Sequence, residues 1–390
     1  MGIKVGMVGV GAFAQGFIPL FKAHPLVDEL TLCDLDADKL RQNVEKHGIT
    51  RTSASLDHLL QTDVDAVAII TQPWLHAPQA MQALRAGKHV YSAVPTGQTI
   101  DNVMNLVKTV EAAGKIYMLG ETSYYYPEVI YCRQQYQRGA FGHIVYSEGE
   151  YYHDWDHGLY EVSKWRGGEN WRWLNGNPPM YYCTHSTSEI ISVTGAHMTY
   201  VSCQGFVDTS DDGVYRLGAN KWDNVFSNQS ALFKMSDGSA CRINEFRRIG
   251  HPGCVRMSMF GTEGSFESDS TGPAVSGRWL DKHNQPVFLD DKLALTGVTT
   301  SAGAFTGLSA LHAAERLPRE FAGLPSGHAG SHQFLVDDFV KACAGATLPP
   351  NNVWMAARYC LPGLIAHESA LRNGALLEIP DCGDPPMVPS

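Results

Sequence analysis

The chain has 390 residues, 44% of them hydrophobic and 18% charged, with a formal net charge of −10. That length suits two domains with a sizeable core, and the acidic balance argues against nucleic acid or an anionic membrane surface as partner. Nine cysteines, scattered and without CxxC spacing, read as thiols in a reducing compartment, and no apolar run reaches membrane-spanning length. The first strand, an apolar run from Ile3 to Val8, starts almost at residue 1. This leaves no room for a signal peptide, and the expected location is the cytoplasm.

That strand runs into Gly9-x-Gly11-x-x-Ala14, and periodic apolar residues (Phe13, Phe17, Leu20, Phe21) predict a helix behind it. In this setting a glycine fingerprint means dinucleotide binding. Gly9 permits the tight turn, and Gly11 lets the backbone of Ala12 and Phe13 approach a pyrophosphate. Ala14 allows close helix–strand packing. A second strand, 30–34, ends in Asp34, placed to bind an adenosine ribose 2′-hydroxyl and to repel a 2′-phosphate. The expected cofactor is therefore NAD.

A charged helix over 36–47 follows, then a continuous apolar strand over 64–70, as expected where both sheet faces are covered. Its loop, Thr71-Gln72-Pro73-Trp74-Leu75-His76, sits at the carboxyl edge of the sheet, where ligands of such folds bind. A helix over 78–86, a strand over 89–92 meeting Ala93-Val94-Pro95, a helix over 100–113 and a strand over 116–120 complete a doubly wound parallel sheet. The style changes near residue 122. A helix opens at Pro127, and aromatic, β-branched strands follow over 144–152, 200–207, 225–235, 240–247 and 255–260. Ser236-Asp237-Gly238-Ser239 reads as a hairpin turn. The fold class is α/β: an N-terminal Rossmann domain, 1–122, then an α+β domain, 123–390, with an open mixed or antiparallel sheet. Residues 270–330, rich in Gly, Ser, Thr and Ala, read as long loops, and two helices (331–344, 353–372) precede a Pro-rich tail.

The ordered set Gly9-x-Gly11-x-x-Ala14, Asp34, Thr71-Gln72-Pro73-x-x-His76, Gly87-Lys88-His89-Val90 and Phe260-Gly261-Thr262-Glu263-Gly264 resembles the glucose–fructose oxidoreductase/inositol dehydrogenase (Gfo/Idh/MocA) family. The resemblance implies NAD(P)-linked chemistry on sugars or polyols. It also implies a cofactor site drawing on Gly9, Gly11, Ala12, Phe13, Ala14, Asp34, Thr71, Pro73, Trp74, His76, Ala93, Val94, Pro95 and Glu121. Two departures stand out. Where family dehydrogenases carry Glu-Lys-Pro, this chain has Ala93-Val94-Pro95, without the lysine. Their Asp-x-x-x-His signature is here Tyr181-Tyr182-Cys183-Thr184-His185, without the aspartate.

Those departures resemble the NAD-dependent glycoside hydrolase branch, typified by α-N-acetylgalactosaminidases. Glu121, Glu148-Gly149-Glu150-Tyr151-Tyr152-His153-Asp154, Thr184-His185 and Gly327-His328-Ala329-Gly330 also fit it. The branch implies transient oxidation at sugar C3, loss of the C2 proton, elimination of the aglycone, water addition and re-reduction. Such steps need proton-transfer groups near neutrality, and Tyr and His suit them. Tyr151 is expected as the C2 base or acid and His185 as the group activating the C3 hydroxyl, with His153 and Glu121 in support. Each has a plainer reading: Tyr151 as an aromatic of the sheet, Glu121 as a helix cap. Trp155, Trp165, Trp171 and Trp173, crowded with Arg166 and Arg172, suit a packed interface and a sugar platform equally. Trp165, Arg166, Trp171 and Tyr182 are the expected substrate contacts. His153-Asp154-Trp155-Asp156-His157 has weak metal-ligand spacing, and no metal is expected. The competing functions are a sugar or polyol dehydrogenase using other proton groups and a non-catalytic NAD-dependent sensor. A homodimer or homotetramer is expected, because a monomer would leave the second domain's open sheet face exposed.

Overall fold

The computed structural model describes residues 2–269, 276–283, 285–297 and 306–386. Parts of the loop-rich stretch (270–275, 284, 298–305) and the end of the tail (387–390) lie outside the described residues. In chain order, β1 (Ile3–Val8), α1 (Ile18–Ala23), β2 (Val27–Cys33), α2 (Ala37–His47), β3 (Arg51–Ser53), α3 (Leu56–Leu60) and β4 (Ala66–Ile69) open the fold. Next come α4 (His76–Arg85), β5 (His89–Ser92), α5 (Ile100–Ala113) and β6 (Tyr117–Leu119). The second half brings α6 (Pro127–Gln137), β7 (Ile144–Tyr152), α7 (Leu159–Gly167), α8 (Trp171–Asn175) and α9 (Thr184–Thr194). It continues with β8 (Met198–Val207), β9 (Phe226–Met235), β10 (Ala240–Phe246), β11 (Cys254–Gly261) and β12 (Gly264–Asp269). Then follow β13 (Ser276–Asp281), β14 (Pro286–Phe288), α10 (Asp290–Leu293), α11 (Gly327–Gly345), α12 (Val353–Leu371) and β15 (Leu377–Glu378).

The chain clusters into two compact units, 1–126 with 295–357 and 382–390, and 127–294 with 358–381. In the first, six parallel strands stand in the order β3-β2-β1-β4-β5-β6. The order reverses between β1 and β4, which makes their carboxyl ends the switch point of a doubly wound sheet. β4 is buried along its whole length, which is why it reads as unbroken apolar sequence. The helices start and stop where their caps dictate. The Asp36 carboxylate accepts from the Asp38 and Lys39 amides to open α2, and Gly114, at φ 59°, closes α5. The helix expected over 13–21 is two pieces, a 3₁₀ turn over Phe13–Gly16 and then α1, which starts with a proline in its first turn.

A single break at 122/123 does not describe this arrangement, because 295–357 cluster with the first unit. Leu335, Val336, Phe339 and Val340 of α11 share a core with Val5, Met7, Phe17 and Phe21. An apolar helix face declares that it must be covered, but not by which sheet.

In the second unit nine strands stand in the order β14-β13-β12-β11-β7-β10-β9-β8-β15. β7 and β10 run parallel and the other neighbours antiparallel. The sheet extends into the expected loop region, since β13, β14 and α10 lie there. Three helices between 155 and 195 leave no amphipathic trace. In α9 the sequence Thr184-His185-Ser186-Thr187-Ser188-Glu189 is buried throughout, so there is no polar face to set a period. Two of its hydroxyls are satisfied by backbone carbonyls: Thr187 Oγ1 donates to that of Tyr359 at 2.7 Å and Ser188 Oγ to that of His185 at 3.2 Å. Among the described residues no helix is long and apolar enough to cross a membrane.

Candidate active site

In the first unit the site begins with backbone. Gly9 sits at φ +88°, and a Cβ there would lie 2.4 Å from the Ile70 carbonyl oxygen, so β1 and β4 can approach only at a glycine. Asp34, just past β2, is anchored: its Oδ2 accepts from the Val10 amide and its Oδ1 from the Asp36 amide, both at 2.9 Å. Leu35 beside it is 87% exposed, with no cation where a 2′-phosphate would need one. These features fit NAD. His76 ties the loops after β4 and β5 together, with Nδ1 3.0 Å from the Pro95 carbonyl and Nε2 3.2 Å from that of Thr71. Thr71 Oγ1 donates to Gln79 at 2.6 Å. Pro73 and Trp74 form the 3₁₀ turn before α4, while Ala93 and Val94 are buried after β5.

Glu121 is fully buried after β6, and its Oε1 accepts from the amide (3.1 Å) and hydroxyl (2.9 Å) of Ser123. It caps the 3₁₀ turn Thr122–Tyr125, not the helix that opens at Pro127. The Gly327-His328-Ala329-Gly330 stretch also belongs to this unit. His328, Ala329 and Gly330 take consecutive left-handed conformations, strained for the first two. The His328 and His332 rings meet at 3.0 Å, and Phe13 of the glycine loop packs edge-on to both.

In the second unit the site is built from side chains. Parallel pairing sets Tyr151 opposite Glu245, so by alternation Gly149, Tyr151, Ile243 and Glu245 share one face. α9 covers that face, close enough that a Cβ on Gly149 would lie 2.6 Å from the Ser186 carbonyl oxygen. The helix therefore brings His185 over Tyr151, ring centroids 5.5 Å apart, while Tyr182 stands 6.0 Å from Tyr151 and 5.5 Å from His185. Tyr151 Oη lies 2.9 Å from His153 Nδ1, and the phenol donates whenever Nδ1 carries no proton. Burial, helped by Arg247 and Arg166, pulls His153 down to about 4, so its imidazole is neutral at neutral pH. Burial raises the Tyr151 phenol, as do Tyr182 and Glu245, against the opposing pull of Arg247 and Arg166.

Tyr151, His153, His185 and Tyr182 thus converge in one cluster, and Arg166 is near enough to act on it. Trp171 is buried with Trp155, Val214 and Tyr215, and the Arg172 guanidinium lies 4.4 Å from its ring, so its ring packs within the unit. The crowded tryptophans divide between the two readings: Trp155 is buried as well, whereas Trp165 and Trp173 are about half exposed. Asp154 is occupied by the amides of Asp156 and Ile249. Among the described residues no three His, Cys, Asp or Glu side chains converge to hold a metal ion. Sequence reasoning passed over Glu245 and Arg247, because only the β7–β10 pairing brings them to Tyr151.

Residues 3–121 match the oxidoreductase family with an NAD-binding Rossmann fold. The whole chain is 23% identical, over 97% of its length and 83% of the relative's, to a glycosyl hydrolase family 109 protein of Saccharopolyspora erythraea. It is 30% identical to one of Shewanella amazonensis, over 48% of this chain. That match spans 44% of the Shewanella protein, less than half its length. Among solved structures the fold is similar to levoglucosan dehydrogenase in complex with NADH (TM-score 0.75, 17% identity, 98% and 100% of the two chains). It is also similar to myo-inositol 2-dehydrogenase from Lactobacillus plantarum (TM-score 0.68, 18% identity, 97% and 100%). At these identities the likeness concerns the fold.

Proposed function

We propose that the protein is an NAD-dependent glycoside hydrolase that cleaves a glycosidic bond through transient oxidation at sugar C3. The observation that carries this reading is the 2.9 Å contact between Tyr151 Oη and a neutral His153 Nδ1, with His185 against the same ring. A phenol and two imidazoles so close together support a proton-transfer role, in a chain that has valine at the position of the usual lysine. Gly9, Gly11 and Asp34 would hold NAD, which when bound accepts the C3 hydride and returns it. His185 takes the proton of the C3 hydroxyl. Tyr151 Oη receives the C2 proton and can pass its own to His153 Nδ1. The C1–oxygen bond to the aglycone then breaks, water adds across C1 and C2, and the C3 ketone regains its two hydrogens. Glu121, as a buried cap, supports the end of β6, and Trp165, Arg166 and Tyr182 contact the sugar or its aglycone. The names of the Saccharopolyspora and Shewanella relatives support the hydrolase reading.

A second reading, a sugar dehydrogenase, is favoured by the fold likeness to levoglucosan dehydrogenase. Incubation with a panel of aryl glycosides, with and without NAD⁺, decides between them. Release of phenol without net NADH supports the hydrolase, and accumulating NADH supports the dehydrogenase. Neither event would leave a sugar sensor. We further read the chain as a homodimer or homotetramer, supported by Tyr200, Phe206 and Leu232, exposed on one face of the large sheet. Light scattering that finds only the 42.7 kDa chain would overturn this.

A further inference from the structure

The proton-transfer cluster contains a pair of charges that the reaction steps above leave unused. Arg247, the residue after β10, has a side chain only 7% exposed, and Glu245 beside it is wholly buried. Their contact, Arg247 Nη2 donating to Glu245 Oε2, measures 2.9 Å. Ser186 of α9 donates to the other carboxylate oxygen at 2.6 Å. Three further guanidinium hydrogens go to backbone carbonyls: Tyr151 at 3.3 Å, Phe246 at 3.1 Å and Pro179 at 3.4 Å. Thus held, the guanidinium carbon lies 4.9 Å from the centroid of the Tyr151 ring.

A permanently charged group buried this deeply is expensive unless it performs a task, and an apolar pair of similar volume would serve packing as well or better. The task visible here is electrostatic. A proton acceptor whose phenol is raised by burial needs a nearby cation to form its anion, and the Arg247 guanidinium lies against its ring. We propose that Arg247, fixed by Glu245 and Ser186, is the positioning residue that orients Tyr151 and supplies the positive charge against which its phenolate forms. Glu245 sets the opposite limit, since its charge faces the same ring across the β7–β10 pairing and disfavours the phenolate. Burial pushes Glu245 itself up to about 7, against the pull of Arg247 and of the Ser186 hydroxyl. The other groups facing the phenol are His153 from its own strand, Tyr182 and His185 from the segment entering α9, and Arg166 from α7.

The proposal rests on Tyr151 as the proton-transfer group, and its test reads that proton directly, without substrate. 3,5-Difluorotyrosine is placed at position 151 of the full chain, and its ¹⁹F shift is followed against pH with NAD⁺ present. Arg247→Met should raise the midpoint by about one to three pH units, the usual effect of an opposite charge at this range. Glu245→Gln should lower it, and Arg247→Lys should stay nearer to the parent than to Arg247→Met. Opposite signs from two adjacent residues are not expected of a merely structural pair. An unmoved midpoint in Arg247→Met, or the same direction in both variants, overturns the proposal. If Arg247→Met does not fold, Glu245→Gln alone decides, and a midpoint that rises or stays overturns it. No cleavage of aryl glycosides by the parent protein, with the expected midpoints, would instead count against the hydrolase reading and leave this proposal standing.

Discussion

In the first unit the glycine turn and Asp34 are held by backbone drawn from close in the chain, with Val10 and Asp34 joined across 24 residues. In the second unit the Tyr151 cluster is made of side chains drawn from far apart, with Tyr151 and Arg247 in contact across 96. The first depends on where a Cβ is absent and where an amide points, properties that a short motif carries by itself. The second depends on a parallel strand pair and on a helix packed across it. A substitution in the first should therefore act on cofactor affinity and local stability, and one in the second on turnover.

The largest effects should come from the second unit. Tyr151→Phe and His185→Ala should each lower aryl-glycoside turnover by about 10² to 10⁴-fold, the usual cost of a missing proton-transfer group. NAD⁺ affinity should hold within a few fold. The two should part company in the NADH absorbance: Tyr151→Phe allows reduction without cleavage, while His185→Ala slows even that. Near-parental cleavage by Tyr151→Phe would move the base to His153.

Next is a pH effect within the second unit. Glu128 is buried at the start of α6, and burial raises its carboxyl from 4.5 to about 7. The unfolded chain ionises this group first, so its contribution makes folding weaker as pH climbs from 4.5 to about 7. Glu128→Gln should then stabilise the protein by on the order of 3 kcal/mol near pH 8 and by almost nothing near pH 4, given the size of the shift. Urea melts at the two pH values measure it, and an equal effect at both would refute it.

In the first unit, Gly9→Val should lower stability by roughly 1–3 kcal/mol, because a side chain at φ +88° is strained and meets the Ile70 carbonyl. NAD⁺ binding should be lost with it, as calorimetry would detect. Asp34→Ala should have the smallest effect, narrowing the preference for NAD⁺ over NADP⁺ by about tenfold, the scale of one charge-assisted hydrogen bond. Tighter binding of NADP⁺ by the parent protein would contradict the reading of this carboxylate.

The amino-acid sequence by itself determined the alternation of strands and helices in the first unit, the glycine turn and Asp34. It also marked Tyr151, His153 and His185 as the groups worth watching. These are legible because each is written in neighbouring residues: an apolar run, a cap, a glycine where a Cβ would collide. Only the tertiary structure decided that α11 completes the first unit's core, that Trp171 is packing, and that Glu121 caps the turn after β6. It alone set α9 over Tyr151 and put Glu245 and Arg247 beneath the same ring. α9 has no polar face to give a helical period, since all its sides are buried. The Glu245–Arg247 pair looks like ordinary strand residues until β10 finds β7, because register is a property of two segments.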